Sequence, residues 1–196
     1  TARKVQAVAS GVLASGDTVV VNANGTVSAV AETTVTQAVG TPVTFRSALC
    51  TYIAAAYDSA NNKVVIAYQD RGNSSYGTAV VGTVDPSDNS ISFGTPVVFE
   101  SANTQRIATT YDVNAGKVLV SFQADGGNSG RLTSIVGTVS NTSISFGSAV
   151  VINTSTSATH VASVYDANAQ KVVLVATTAG APAAFVCTIS GTSVSS

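Results

Sequence analysis

At 196 residues the chain is long enough for one or two domains, and a hydrophobic content of 45% excludes disorder of the whole. Only 10% of residues are Asp, Glu, Lys or Arg, against roughly 25% in ordinary soluble domains, so Ser, Thr, Asn and Gly must carry the solvent-facing side. A net charge of −1 with 9 scattered Lys and Arg excludes the basic footprint a nucleic acid requires, and no apolar run approaches the roughly 20 residues of a membrane-spanning helix.

The first 39 residues stand apart from the rest. Arg3 and Lys4 precede a mildly apolar stretch, but Ser10, Gly11, Ser15, Gly16 and Asp17 interrupt any signal-peptide core. The sequence contains no Met, which suggests an initiator Met removed ahead of Thr1 and synthesis in the cytoplasm. Residues 18–22 and 26–30 alternate, and Asn22-Ala23-Asn24-Gly25 joins them with residues that tolerate a tight turn, so a β-hairpin is predicted. Ser15-Gly16-Asp17 reads as the turn before it, and residues 32–38, rich in Thr and Val, as a further strand or a linker.

From Gly40 onward the chain repeats itself. Residues 40–93, 94–146 and 147–196 begin GTPVTF, GTPVVF and GSAVVI, and each carries a Tyr-Asp pair followed by a Lys: Tyr57, Asp58 and Lys63; Tyr111, Asp112 and Lys117; Tyr165, Asp166 and Lys171. A period of about 54 residues signals stacked supersecondary units, none able to bury its apolar face alone. In the middle copy the β-branched and aromatic runs at 96–100, 106–111, 117–123 and 132–139 predict four antiparallel strands, with 143–146 leading onward. The expected fold class is therefore all-β: a small amino-terminal β module, then three four-stranded repeats resembling propeller blades.

The last repeat is incomplete beside the other two, and three blades are fewer than the four to eight of closed propellers. Continuation of the natural polypeptide beyond Ser196 is the favoured expectation, ahead of ring completion by several chains or an open stack. The Asp after each Tyr sits at the first position of a turn, where its carboxylate can accept backbone N–H bonds. Asp58, Asp112 and Asp166 are thus expected to be structural, and Tyr57, Tyr111 and Tyr165 to pack between neighbouring sheets.

Chemistry is sparse. The non-repeated acids offer no convincing pair for hydrolysis, and His160 is the one histidine, with no nucleophile-elbow serine or nearby carboxylate. Zinc lacks a recognisable ligand spacing. Oxygen ligands at 69–73 and 124–128 leave calcium as a minor alternative, although neither stretch matches an EF-hand. Cys50 and Cys187 occupy non-equivalent repeat positions and read as free thiols. No enzyme, cofactor or metal is expected.

One position varies where the frame is constant. Five residues before each repeated Tyr stand Tyr52, Arg106 and His160. A fixed scaffold that changes its side chain at a strand entry is suited to ligand contact, so these three are the expected glycan-facing rim. The alternative is a loop end that tolerates any residue.

GVLASGDTVVVNANGTVSAV, followed by units of the form GTPVVF, ATYD-x-NAGKV and GNSSYGTAVVGTV, resembles repeat-bearing virion proteins of tailed marine bacteriophages, notably tail-fibre-like proteins. The resemblance covers nearly the whole chain. It implies a virion structural protein made in the host cytoplasm, multi-copy or homo-oligomeric on the particle. Residues 1–39 would anchor it to other virion proteins, and the repeats would meet a host-surface glycan. A capsid head fibre without receptor role and a secreted lectin-like propeller are the alternatives. The third repeat departs from the pattern by losing the Gly-Asn-Ser loop and by having Val186-Cys187-Thr188 in place of Gly-Thr-Val.

Overall fold

The computed structural model describes residues 7–30, 39–126, 129–155 and 157–196. The chain divides into two compact units, Thr1–Ala38 and Val39–Ser196. The described residues contain strands and turns with no helix, hence none long and apolar enough to cross a membrane. Arg3, Lys4 and the stretch 32–38 lie outside the described residues.

In the first unit, β1 (Val19–Val21) pairs antiparallel with β2 (Val27–Ala29), Val19 opposite Ala29 and Val21 opposite Val27. The predicted turn closes them: Asn22 N–H donates to Thr26 O at 2.8 Å and Gly25 N–H to Asn22 O at 2.9 Å, with Gly25 at φ 80°. The Asp17 carboxylate accepts from Ala14 N–H at 2.7 Å, fixing the preceding turn.

The second unit is a succession of antiparallel strands. These are β3 (Cys50–Asp58), β4 (Lys63–Asp70), β5 (Tyr76–Asp85), β6 (Ser90–Phe93), β7 (Val97–Asp112), β8 (Lys117–Ala124), β9 (Arg131–Ser140), β10 (Ser143–Phe146), β11 (Val150–Asn153), β12 (Thr159–Asp166), β13 (Lys171–Thr178), β14 (Ala181–Ser190) and β15 (Ser193–Ser195). One nine-stranded sheet runs β10-β9-β8-β7-β5-β4-β3, with β11 also on β9 and β6 also on β5; β12-β13-β14-β15 form a four-stranded sheet. Neither sheet closes on itself.

The strand count differs from the sequence expectation at one place. Residues 96–100 and 106–111, read as separate strands, fall, except for Pro96, in the single 16-residue β7. The intervening Ser-Ala-Asn-Thr-Gln holds no Gly or Pro to break extension, and a bulge between Gln105 and Ala108 lets the strand bend instead. Its first half pairs with β5 and its second half with β8, which fuses two repeats into one sheet.

Register recurs even so. Val64 stands opposite Gly82, Val118 opposite Gly137 and Val172 opposite Cys187. Alternation along β8 then sends its two faces into two cores. Val118, Val120 and Phe122 pack with Val65, Ala67 and Val81, whereas Leu119 packs with Leu132, Val136, Val172 and Leu174. Burial of each such valine or leucine contributes about 1.5–3 kcal/mol. Phe99 lies between Phe122 and Phe146, ring centroids 5.2 and 5.5 Å away, and Phe45 holds the matching place beside Tyr68 and Phe93 at 5.2 and 5.8 Å.

Candidate functional site

Each of Tyr52, Arg106 and His160 sits in a β-bulge. The pairing register slips between Thr51 and Ala54, between Gln105 and Ala108, and between Thr159 and Ala162. All three residues adopt the left-handed backbone, with φ of 51°, 52° and 51°. For a side chain other than glycine that conformation costs roughly 1–2 kcal/mol, and bulges of this kind turn a side chain away from its normal place on the pleat. The sequence repeat and the backbone therefore mark the same three positions.

Their surroundings differ. Tyr52 is 40% exposed and borders a polar cleft of about 320 Å³ with Gln69, Arg71, Ser74, Asn103 and Gln105. Arg106 is half-buried, and its Nε–H donates to Gln123 Oε1 at 3.0 Å. His160 is exposed, its Nδ1 3.0 Å from Thr159 Oγ1. It borders a separate, mostly apolar cleft of about 390 Å³ with Val175, Thr177, Pro182, Ala183 and Ala184. The three do not line a common pocket among the described residues.

The cleft beside Tyr52 is ordered by a chain of side-chain hydrogen bonds. Thr51 Oγ1 donates to Gln69 Oε1, and Gln69 Nε2 donates to Asn103 Oδ1 at 2.7 Å. Asn103 Nδ2 and Gln105 Nε2 both donate to Asp125 Oδ2, at 3.0 and 2.8 Å. Tyr52 Oη reaches Gln105 Oε1 at 3.4 Å. Each amide is thereby held in one orientation, leaving a fixed pattern of donors and acceptors beside an exposed phenol ring. Sequence reasoning placed Gln69 only in an oxygen-rich stretch considered for calcium and missed Asn103 and Gln105. The available signal was Gln69 and Gln123 closing the equivalent strands KVVIAYQ and KVLVSFQ, where the third repeat has Thr177.

The Tyr-Asp pairs take different roles from copy to copy. Asp58, 1% exposed, accepts from the N–H groups of Ala60 and Asn61 at 3.1 and 3.0 Å and from Asn61 Nδ2 at 2.8 Å. Buried Asp112 accepts from Ala115 N–H at 2.9 Å. Exposed Asp166 accepts from Asn168 and Ala169 N–H at 2.9 and 3.0 Å. Tyr111 is core, and burial, followed by the Asp58 charge, pushes its phenol pKa up. Tyr165 packs partly into the second core, but Tyr57 is 55% exposed, its hydroxyl donating to Asn62 Oδ1 at 2.9 Å. All three tyrosines border one shallow groove with Thr110 and Ser163, whose hydroxyls bond to each other.

The remaining reactive groups are engaged or buried. Asp70 pairs with Arg46, Nε to Oδ2 3.0 Å, and accepts from Gly72 N–H at 3.0 Å. The Arg46 N–H is poorly aligned for a hydrogen bond, so the contact is an ion pair. Among the described residues no three His, Cys, Asp or Glu side chains converge as metal ligands; Gly127 and Asn128 of the second oxygen-rich loop lie outside those residues. Cys50 is half-buried and Cys187 buried, neither is in a disulfide, and burial raises both thiol pKa values. Neither a protein-family model nor a curated protein sequence matches this chain.

Proposed function

We propose that this chain is a non-enzymatic surface-display protein. In this reading residues 40–196 form successive propeller-like blades that attach to host-surface glycans, and residues 1–39 anchor the protein to a virion. The single observation that carries the binding role is the cleft beside Tyr52. A sugar presents hydroxyls to be hydrogen-bonded and a C–H face to be stacked, and an exposed phenol next to prearranged amides supplies both. Because the amides are already ordered, little side-chain entropy is lost on binding.

The blade reading is supported by the shared register of the three hairpins and by the burial of β8 on both faces between neighbouring layers. The virion setting is supported by the resemblance of the repeat phrases to phage fibre proteins. Single glycan contacts at such an open cleft would be weak, and many copies on one particle would raise the avidity.

A glycan array probed with the full chain tests the reading, with Tyr52→Ala and Gln105→Ala as comparisons. Saccharide binding that falls at least tenfold in both variants supports it. Binding unchanged in both removes the cleft from the function. Immunolabelling of particles then separates the settings: label on the tail fits host attachment, label over the head fits a capsid fibre, and protein that never sediments with particles favours the lectin alternative.

A further inference from the structure

We infer that the cleft beside Tyr52 takes an acidic sugar, one bearing a carboxylate or a sulfate ester, and that Arg71 is the residue that selects it. The inference rests on the glycan reading above and deepens it by assigning the ligand a charge.

Arg71 stands out by comparison within the repeat. Arg71 and Asp125 follow Lys63 and Lys117 at the same distance in sequence, and their backbones are held alike. Arg71 N–H donates to Leu49 O at 3.0 Å, and Asp125 N–H donates to Asn103 O at 2.9 Å. Their side chains are treated differently. The Asp125 carboxylate is taken up by Asn103 Nδ2 and Gln105 Nε2, which donate to it at 3.0 and 2.8 Å. In the first repeat the places of Asn103 and Gln105 are held by Leu49 and Thr51. Leu49 has no polar side chain, and the Thr51 hydroxyl already donates to Gln69. The exposed Arg71 guanidinium thus forms no salt bridge among the described residues.

That guanidinium lines the cleft, where it is the single charged group among the described residues. The acids closest to it in the chain and in the network are otherwise engaged. Buried Asp70 is paired with Arg46 at 3.0 Å and accepts from Gly72 N–H. Asp125 holds two amides and is not a lining residue. With a net charge of −1 spread over so few charged residues, no strong background field opposes one cation in a cleft.

The rest of the lining suits the same ligand. Gln69 Nε2, Asn103 Nδ2 and Gln105 Nε2 each donate once within the protein, and a carboxamide has a second N–H to offer. Ser74 and Ser75 add hydroxyls. A neutral sugar hydroxyl could accept from these groups, but an N–H to an ionised oxygen is roughly twice as strong as one to a neutral acceptor. The planar fork of arginine also matches two oxygens of one carboxylate or sulfate. The Tyr52 ring remains available for the C–H face of the same sugar. A cleft of about 320 Å³ is at the small end of ligand pockets, so one acidic residue of a glycan is read at a time.

The test uses the full chain and two matched pairs of probes: a hexuronate trisaccharide with its methyl ester, and a sulfated trisaccharide with its desulfated form. The charged member of at least one pair should bind about tenfold more tightly than the uncharged member. Arg71→Gln should abolish that ratio, and raising salt from about 0.05 to about 0.5 M should shrink it in the parent chain. Arg71→Lys, which keeps the charge but loses the fork, should restore part of it. Preference confined to the hexuronate pair identifies a carboxylate as the selected group, and preference confined to the other pair identifies a sulfate. Equal binding within both pairs, still weakened by Tyr52→Ala, would overturn the inference and leave the glycan reading standing. An acidic preference that survives in Arg71→Gln, with the parent's circular dichroism and Tm, would overturn the assignment to Arg71. Failure to bind any saccharide, on the array or among these probes, would overturn both readings together.

Discussion

Tyr52 and His160 share a left-handed backbone, φ 51° in both, a region that residues other than glycine seldom enter. A conformation that costs about 1–2 kcal/mol persists at both, and at Arg106, because each bulge is pinned by ladder pairs on either side, such as Thr51–Gln69 and Ala54–Ala67. Strain held at the positions where the repeat varies its side chain is consistent with a contact role.

Relieving that strain should therefore stabilise the fold and remove the side chain proposed for contact. His160→Gly is expected to raise stability by up to about 1 kcal/mol, since glycine adopts positive φ without a Cβ penalty but gains freedom when unfolded. For a chain of this size that is roughly 2–4 °C in Tm. A calorimetric Tm below the parent's would show that the imidazole packs more than its exposure suggests.

Tyr68 gives a pH-dependent prediction. Its side chain is fully buried, its hydroxyl has no hydrogen-bond partner among the described residues, and burial, reinforced by the Asp70 and Cys50 charges against the opposing effect of Arg46, pushes the phenol pKa up to about 12. The pKa is raised on folding, so the neutral form is favoured in the native state. Stability is full below the unfolded pKa of about 10 and falls as pH rises towards 12. Tyr68→Phe should flatten that alkaline decline, and at pH 7 should be neutral or stabilising by about 1 kcal/mol because an unpaired buried hydroxyl is removed. The middle repeat already has Phe122 at the equivalent position. Urea midpoints from pH 7 to 11 measure both effects, and a parallel decline in parent and variant would refute the assignment.

The alternating Val, Ile and Thr runs, the Asn22–Gly25 turn and the Tyr-Asp hairpins made the all-β class and most strands legible, because period-two burial and turn chemistry are local. What escaped was non-local. The union of residues 96–100 with 106–111 depends on two different partner strands, and no local signal says that a bulge will replace a loop. The amide cleft escaped for the same reason: Gln69 and Asn103 are 34 residues apart and meet only through pairing of β5 with β7. The three bulge positions were found from the variation within the repeat, whereas their separation into distinct surroundings follows from side chains such as Gln123 and Thr177 on the facing strands.

Gly94 is fixed by close approach. A Cβ there would lie 1.8 Å from the Thr142 carbonyl oxygen, a backbone atom that cannot swing aside. Gly94→Ala should destabilise by about 2–3 kcal/mol as an overpacked contact. Gly116→Ala, at φ 63° with no atom within 4 Å, should cost only the left-handed penalty of about 1 kcal/mol. Equal losses in thermal unfolding would show that the strand entry moves to accommodate a methyl group.

The turn aspartates should separate by burial. Asp58 and Asp166 both cap the turn after a repeated Tyr, but Asp58 is 1% exposed and accepts three hydrogen bonds, two from backbone and one from Asn61 Nδ2, while Asp166 is exposed and accepts two. Asp58→Ala strands donors with restricted access to water and should cost about 2–3 kcal/mol, whereas the donors released by Asp166→Ala can hydrate, leaving a loss under about 1 kcal/mol. Denaturant titration separates the two if the slope m stays at the parent value, so that a shift in midpoint reads as stability alone. A loss at Asp166 as large as that at Asp58 would mean that the third hairpin turn is covered in solution, and that burial assigned to the single chain understates what its neighbours provide.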